Sequence, residues 1–558
     1  TNLRISDRTT PPYVNPDTGD AEITLGLFAD VESVKNLGIG KGSSVTYYGV
    51  SKLTLKVYAS ALSVEAYRID NCFSEASITV KGIGETQIGG ITNACAYLTN
   101  SANRGPIVFE GDVIDSRAKN RGRRVTPGWF KIGGVCTVGG KTLKGCSNTG
   151  SITVRASGDD VQIGGIAADS NRSFCSDLIN SANISVTATG DIKTASIGGV
   201  LGLNVPYPRN PKVRTEGYTD SGYIVNKGNI DVSVLTGKTI SVGGVGGGLF
   251  DPSSSLTSVE FTGVFGYLNA CNTGSVSASV SGKAELSVGG IVGSGAMVFN
   301  CYNAGRISGS SAAGGQLNLG GLGGADVYVQ NSCNYGAVSG KGAGTNYVGG
   351  VIGFANRRWG EADREWYTSH NAFWLKSGRA GGVNSDIAYA KGSYYYKRQG
   401  DIPKEGLHQL LDAVDKKDPD KMVENDGAGF VYSFDSPSSA VMKRSDDGSK
   451  KRPDLNGALL ENLNTMVDDK IDRLYRRWII DGSNGGYPVL SSKPTVFSRT
   501  SAKPDVATAA LVAGQYKAVH RKWNDTMLFG ADGSFKRATG GDGGTWSFDG
   551  KRLILRWT

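Results

Sequence analysis

Along much of this chain, apolar residues alternate with small polar ones in runs of about five, as in Val276-Ser-Ala-Ser-Val280 and Ile230-Asp-Val-Ser-Val234. A period of two predicts β-strand, and the Val, Ile and Thr content favours it. The runs are punctuated by two recurring motifs. The first, Asn-x-Gly-x-Ile/Val, occurs at Asn103 to Ile107, Asn148 to Ile152, Asn226 to Ile230, Asn272 to Val276, Asn303 to Ile307 and Asn334 to Val338, with degenerate copies at Ser74 to Ile78 and Asn180 to Ile184. The second is an aliphatic residue, a Gly pair and usually another aliphatic. It occurs at Ile88 to Ile91, Ile132 to Val135, Ile163 to Ile166, Ile197 to Val200, Val242 to Val245, Val288 to Ile291, Leu319 to Leu322 and Val348 to Val351.

Copies follow one another at roughly 30 residues, or about 45 where an insertion intervenes, the period range of solenoids. Two short strands per copy cannot bury an apolar face alone. Stacked at about 4.8 Å, each strand pairs with its counterparts above and below. The reading is an all-β chain, a parallel β-helix-like solenoid of either hand, in which Ile152, Val276, Ile307 and Val338 share one interior column. Gly pairs suit close backbone approach or sharp corners. The Asn suits a turn, tolerates positive φ, and can form a stacked amide ladder.

These motifs, above all Asn300-Cys-Tyr-Asn-Ala-Gly305 with Val288-Gly-Gly-Ile-Val-Gly293, resemble the GLUG-motif repeats of large surface proteins from Gram-negative gut anaerobes, also found beside some secreted immunoglobulin-A peptidases. The resemblance extends from residue 1 to about residue 490. Asn2 to Ile5, Leu27-Phe28 and Val34 to Leu37 look like entry repeats, which implies that the chain as given starts inside a longer protein. It further implies extracellular display, outer-membrane association and interaction with other molecules. It carries no catalytic residues.

The organisation expected is irregular coils over 1–60, the regular solenoid over 61–355, and terminal strands with a partly helical cap over 356–490. Terminal strands fall at Phe373 to Leu375 and Tyr394 to Tyr396. Helices are expected near Leu407–Val414 and Leu459–Leu474, the second with apolar residues 459, 460, 463, 466 and 467 on one face, closing the array's end. A charged segment around 434–454 separates them. A linker follows over 491–504. Residues 505–558 form a small sandwich-like β module with strands at 515–519, 526–529, 534–537, 545–548 and 553–557 and Asp-Gly turns at 532 and 549. It ends in mid-strand, as an incomplete domain does.

Composition narrows the class. Gly is abundant, 81 residues, yet falls at no period of three, which excludes collagen. The net charge of +9 is spread out, with no basic run or nucleic-acid motif, so no nucleic-acid partner is expected. No apolar stretch is long enough to be a membrane-spanning segment. The eight Cys lie within the repeats, five of them one or two residues before the motif's Asn, where a small apolar thiol packs in a ladder; reduced core thiols and at least one disulfide both fit. No Cys-x-x-Cys pair occurs, so no metal or other cofactor is expected.

Candidate ligand residues come from insertions. Arg117 to Phe130 carries Arg117, Lys119, Arg121, Arg123, Arg124 and Trp129. Val205 to Tyr218 carries Tyr207, Arg209, Lys212, Arg214 and Tyr218; Leu249 to Tyr267 carries Phe250, Phe261, Phe265 and Tyr267. Insertions on one edge of a solenoid make binding surfaces, and Arg beside aromatics holds acidic sugars or carboxylates. Solvated loops over the core fit the same residues. In the last module Trp523 and Trp546, with Tyr516, His520 and Trp557, suit either sugar stacking or core packing. Only three His occur, no hydrolase or P-loop motif is present, and Asp159-Asp160 fall in a turn without an acidic ladder. The function expected is a non-catalytic adhesin at the cell surface, with a glycan or a host or bacterial surface protein as partner. The alternatives are a structural part of a surface layer, fibre or outer-membrane complex, and a β-helix polysaccharide lyase or hydrolase.

Overall fold

The computed structural model describes residues 4–7, 13–14, 21–49, 55–82, 84–112, 128–170, 173–204, 222–249, 266–355, 370–375, 385–390, 430–434, 443–444, 459–469 and 475–493, and within the last module 514–520, 523–530, 532, 534–538, 543–548 and 553–557. The chain forms two units, Thr1–Pro494 and Thr495–Thr558. The expected strand at 394–396 and helix at 407–414 lie outside the described residues.

The first unit is a β-solenoid of stacked parallel strands. One representative turn runs through Val276–Val280, Glu285–Gly289, Val292–Ser294 and Tyr302–Asn303, with Met297–Phe299 as a further segment. Each turn thus holds four principal strand segments where two were expected, because the chain re-enters extended backbone after the Gly pair and again at the Asn. The expected interior column is present and longer than proposed: Val45, Ile78, Ile107, Ile152, Ile184, Ile230, Val276, Ile307 and Val338 pair in unbroken register. None is more than 1% exposed. A second column runs Ile88, Ile132, Ile163, Ile197, Val242, Val288, Leu319 and Val348. Burying each such side chain stabilises by roughly 1.5–3 kcal/mol. The first sixty residues join the same ladders where they are described. Arg4–Asp7 pairs with Ser44–Tyr48, Ala21–Leu25 with Leu55–Ser60, and Phe28–Lys35 with Ser63–Asp70, so these coils are regular rather than irregular.

The motif Asn forms a buried ladder. Each amide donates to the next coil's amide oxygen, from Asn103 to Asn148 (3.0 Å), Asn180 (3.1 Å), Asn226 (2.9 Å), Asn272 (2.8 Å), Asn303 (2.8 Å) and Asn334 (2.8 Å). The second amide hydrogen goes to the carbonyl two residues on, as from Asn272 to Gly274 at 2.8 Å. Asn103 Oδ1 lacks a partner because the preceding coil has Ser74 in that place. The Gly pair packs against this ladder: a Cβ on Gly244 would collide with the Gly290 carbonyl and the Asn272 amide. Positive φ falls elsewhere, three residues before the ladder position, at Asn36, Asn71, Asn100, Asn269, Asn300 and Asn331, with φ between 48° and 56°; that position holds Ile39 and Ser74 in the first two of these coils. Asn tolerates this left-handed corner better than other non-Gly residues.

The five Cys near the motif occupy two columns, not one, because neighbouring strand residues face opposite ways. Cys72, Cys146 and Cys301 point into the interior with Leu178, Ile224 and Ala270. Cys271 and Cys333 point outward, where Val225, Tyr302 and Phe373 join them under a second apolar cluster. All eight Cys are free thiols, buried except the half-buried Cys175.

That outward cluster explains the expected helix. Leu459–Asp469 is helical and buries Leu459, Leu463 and Val467, with Leu460 half-buried. It lies on the flank of the array rather than across its end. Asn464 behaves like a strand partner, donating to Trp478 O (2.9 Å) and accepting from Trp478 N (3.0 Å). The strap that follows, 475–491, engages the left-handed Asn corner. Arg476 N donates to Asn269 Oδ1 (2.9 Å), Asn300 Nδ2 to Arg476 O (2.9 Å), and the Trp478 indole to Asn300 Oδ1 (2.7 Å). Tyr335 OH donates to Pro488 O at 2.7 Å. The Arg476 guanidinium pairs with Asp177 (3.3 Å) and lies 4.7 Å from the centre of the Tyr223 ring.

The second unit is one five-stranded antiparallel meander, Gly514–His520, Trp523–Phe529, Ser534–Arg537, Gly543–Phe548 and Leu553–Trp557. It is a single sheet rather than a sandwich among the described residues. Met527, Phe529 and Phe535 are buried, and Asp532 closes its turn by accepting from Ser534 N at 2.9 Å.

Three outcomes follow from this packing. Asn272→Ala breaks the ladder on both sides and orphans buried groups, which costs on the order of 3 kcal/mol; the urea or thermal unfolding midpoint should fall, while Ser277→Ala stays near the parent. Trp478→Ala should release the strap, so that alkylation followed by peptide mass mapping finds Cys271 and Cys333 labelled while Cys146 and Cys301 stay protected. Burial pushes the thiols up, Cys95 and Cys271 to about 11 and Cys146 and Cys175 to about 12. The unfolded chain loses these protons first, near its ordinary thiol pKa of about 8.5. Their contribution is therefore full below that pH and drains away as the pH rises towards 12, so chemical-denaturation midpoints should drop across that window.

Candidate functional site

In the early turns the third strand is long and carries two neighbouring residues that face away from the core. In Ser63–Asp70, Ala66 packs on the core, Tyr67 and Arg68 are exposed, and Ile69 returns inside. The register sets Arg68 beside Tyr97 of the next coil, Thr92–Thr99. One coil further on, Cys136–Lys144 carries an extra residue: Cys95 pairs with Gly139 and Tyr97 with Thr142, which leaves Gly140 and Lys141 opposite Ala96 alone. Such a bulge re-aims a side chain. Gly140 presses on the Ala96 backbone, where a Cβ would collide.

The bulge brings Lys141 over both tyrosines, 5.9 Å from the Tyr67 ring centre and 5.5 Å from that of Tyr97. The Arg68 guanidinium lies 5.3 Å from the Tyr97 ring centre, and the two rings meet edge to face with centroids 5.4 Å apart. Tyr67 is 51% exposed. Among the described residues neither Arg68 nor Lys141 forms an ion pair, although Lys35 and Asp70 pair close by at 3.7 Å. The register also places the exposed Glu32 beside Tyr67. The result is an aromatic platform with two unneutralised cations and one carboxylate at its edge.

The sequence-derived candidates fall differently. Arg117, Lys119, Arg121, Arg123, Arg124, Tyr207, Arg209, Lys212, Arg214, Tyr218, Phe250, Phe261 and Phe265 lie outside the described residues. Trp129 is half-buried at the start of Trp129–Gly133, paired in register with Asp160. Tyr267 is not a surface residue: it is fully buried in the core against Gly246, its hydroxyl without a partner. Trp523 and Trp546 stand in the second and fourth strands of the terminal meander, which are not neighbours.

Asp159 and Asp160 lie inside the long strand Ile152–Gly164, just past a register shift between Ala156 and Gly158, rather than in a turn. Burial raises the Asp160 carboxyl above its usual range, against the hydrogen bonds from Thr194 (3.2 Å) and Gln162 (3.4 Å). Lys131 pairs with Asp169 at 3.1 Å, and Lys193 with Asp159 at 2.6 Å. Asp159 and Asp169 are thus each engaged with a lysine. Among the described residues no group of three or more His, Cys, Asp or Glu is placed to hold a metal ion, and no helix is long and apolar enough to cross a membrane.

Sequence reading missed the Tyr67 platform because its four residues are spread over three coils and belong to no motif. The signal was there in Thr137-Val-Gly-Gly-Lys-Thr142, one residue longer than the matching segment of the preceding coil. Comparison of the chain with protein-family models, curated proteins and solved structures finds no match.

Proposed function

We propose that this chain is a non-catalytic binding protein of a cell surface, outer-membrane-associated, whose solenoid presents an outward face to a glycan or a surface protein of a host or another bacterium. The observation that carries this reading is the pair of cations, Arg68 and Lys141, held over two tyrosines with no carboxylate partner between them. Contact with the rings steadies both cations but neutralises neither, which leaves an open patch of positive charge. It suits a surface that awaits an anionic or aromatic-stacking ligand. The resemblance of the repeats to GLUG-motif surface proteins supports the location and the adhesive role.

A spacer role in a surface layer, fibre or outer-membrane complex is the second reading. The unbroken register from Val45 to Val338 favours it, because such an array is a stiff rod whether or not it carries a site. The polysaccharide-cleaving alternative lacks a comparable observation. Purified chain labelled with a fluorophore should be retained by a glycan array or by intact host or bacterial cells, and Lys141→Ala should weaken retention about tenfold. Equal background on every surface would leave the spacer reading in place.

A further inference from the structure

We infer that the Tyr67 platform takes an anionic sugar, a pyranose ring that bears a carboxylate or sulfate, within a polysaccharide; this rests on the binding reading above and specifies its ligand. The chemistry follows from the four side chains. A sugar ring offers an apolar C–H face, and an exposed tyrosine ring of the Tyr67 kind stacks on such faces. Arg68 supplies a planar fork of donors that matches a two-oxygen anion, and Lys141 supplies a mobile point charge. Glu32, beside Tyr67, accepts from ring hydroxyls, which a bare inorganic anion does not offer. Aromatic face, fork, ammonium and acceptor together fit a ligand that is at once ring-shaped, hydroxylated and negatively charged.

The geometry also gives a direction. Arg68, Tyr97 and Thr142 share one register line across three coils. Coils repeat at about 4.8 Å and a monosaccharide spans about that distance, so a polysaccharide laid along the stack meets one coil per residue. Lys141 marks the end of the line, because the bulge that aims it occurs in that coil and the next coil breaks its third strand into Ala167–Asp169 and Phe174–Ser176. The anionic residue of the ligand is held where Lys141 and Arg68 converge on Tyr97.

The test uses the full chain in biolayer interferometry at moderate salt against four polymers: a polyuronate, a sulfated galactan, a neutral glucan and poly-glutamate of matched charge. Binding of the polyuronate or the sulfated galactan, with affinity about tenfold lower for Lys141→Ala and for Tyr67→Ala but kept by Lys141→Arg and Tyr97→Phe, supports the proposal. Affinity should also fall as salt rises, and less steeply in Lys141→Ala. Poly-glutamate binding as tightly, insensitive to Tyr67→Ala, overturns it in favour of an acidic protein partner. Binding to the neutral glucan alone overturns it while leaving the adhesive reading intact. Silence on all four polymers together with retention on whole cells likewise overturns it and spares that reading, whereas silence on polymers and cells alike ends both. Tyr67 and Lys141 are exposed and Tyr97 is half-buried, so unchanged circular dichroism and melting midpoint confirm that each variant is folded.

Discussion

A column of buried amides governs this molecule. The ladder Asn must donate both hydrogens, one to the coil beyond and one to its own carbonyl two residues on, and a buried amide left without them costs on the order of 1–3 kcal/mol. Those two bonds fix the distance between coils and the angle of the corner together. The Gly pair follows from it: beside Asn272 there is room for the Gly244 backbone and for nothing more. From Asn103 onward the aliphatic columns share the register of the amides, and before it Val45 and Ile78 keep that register with Ile39 and Ser74 in the ladder position. Insertions are tolerated between motifs, but within the motif no residue can be added without breaking the chain of bonds from Asn103 to Asn334.

The same strand that carries the ladder divides the molecule into an inside and a flank. Residues two before the Asn, such as Cys146 and Cys301, lie in the dry interior, and those one before, such as Cys271 and Cys333, face out. In the early coils that outer column bears Phe73 under the Arg104 side chain, 4.9 Å from its ring centre, and polar Ser147. In the later coils it becomes Val225, Cys271, Tyr302, Cys333 and Phe373, an apolar stripe that the helix and strap cover. The left-handed Asn corner changes role along the way, solvated at Asn71 and Asn100 but a buried set of partners for Arg476 and Trp478 at Asn269 and Asn300.

What could be read from the sequence was whatever repeats. Alternation and the two motifs sufficed for strands, stacking and the interior column at Ile152, Val276, Ile307 and Val338, because each copy imposes the same local requirement. The helix at Leu459 was legible from its own period, but its place on the flank was not, since that depends on which coils turn apolar on the outside. The left-handed corner escaped because Asn is absent there in some coils, with Gly145 and Asp177 instead. The platform at Tyr67 escaped for a deeper reason: it is a departure from the repeat, and pattern reading discards departures. Tyr267 misled in the opposite sense, an aromatic at the edge of an insertion that the core absorbs.

The strap has a mechanical consequence. An array whose turns touch only their immediate neighbours unravels one turn at a time from whichever end is tugged. Here Arg476 grips Asp177 while Tyr335 holds Pro488 and Phe434 packs beside Tyr487. Several turns are thereby sewn to one thread, and a force applied on that side must rip many stitches at once. The turns before Asp177, which carry the Tyr67 platform, have no such seam among the described residues, so under shear the array yields there first, a fuse that gives way while the strapped turns stay whole.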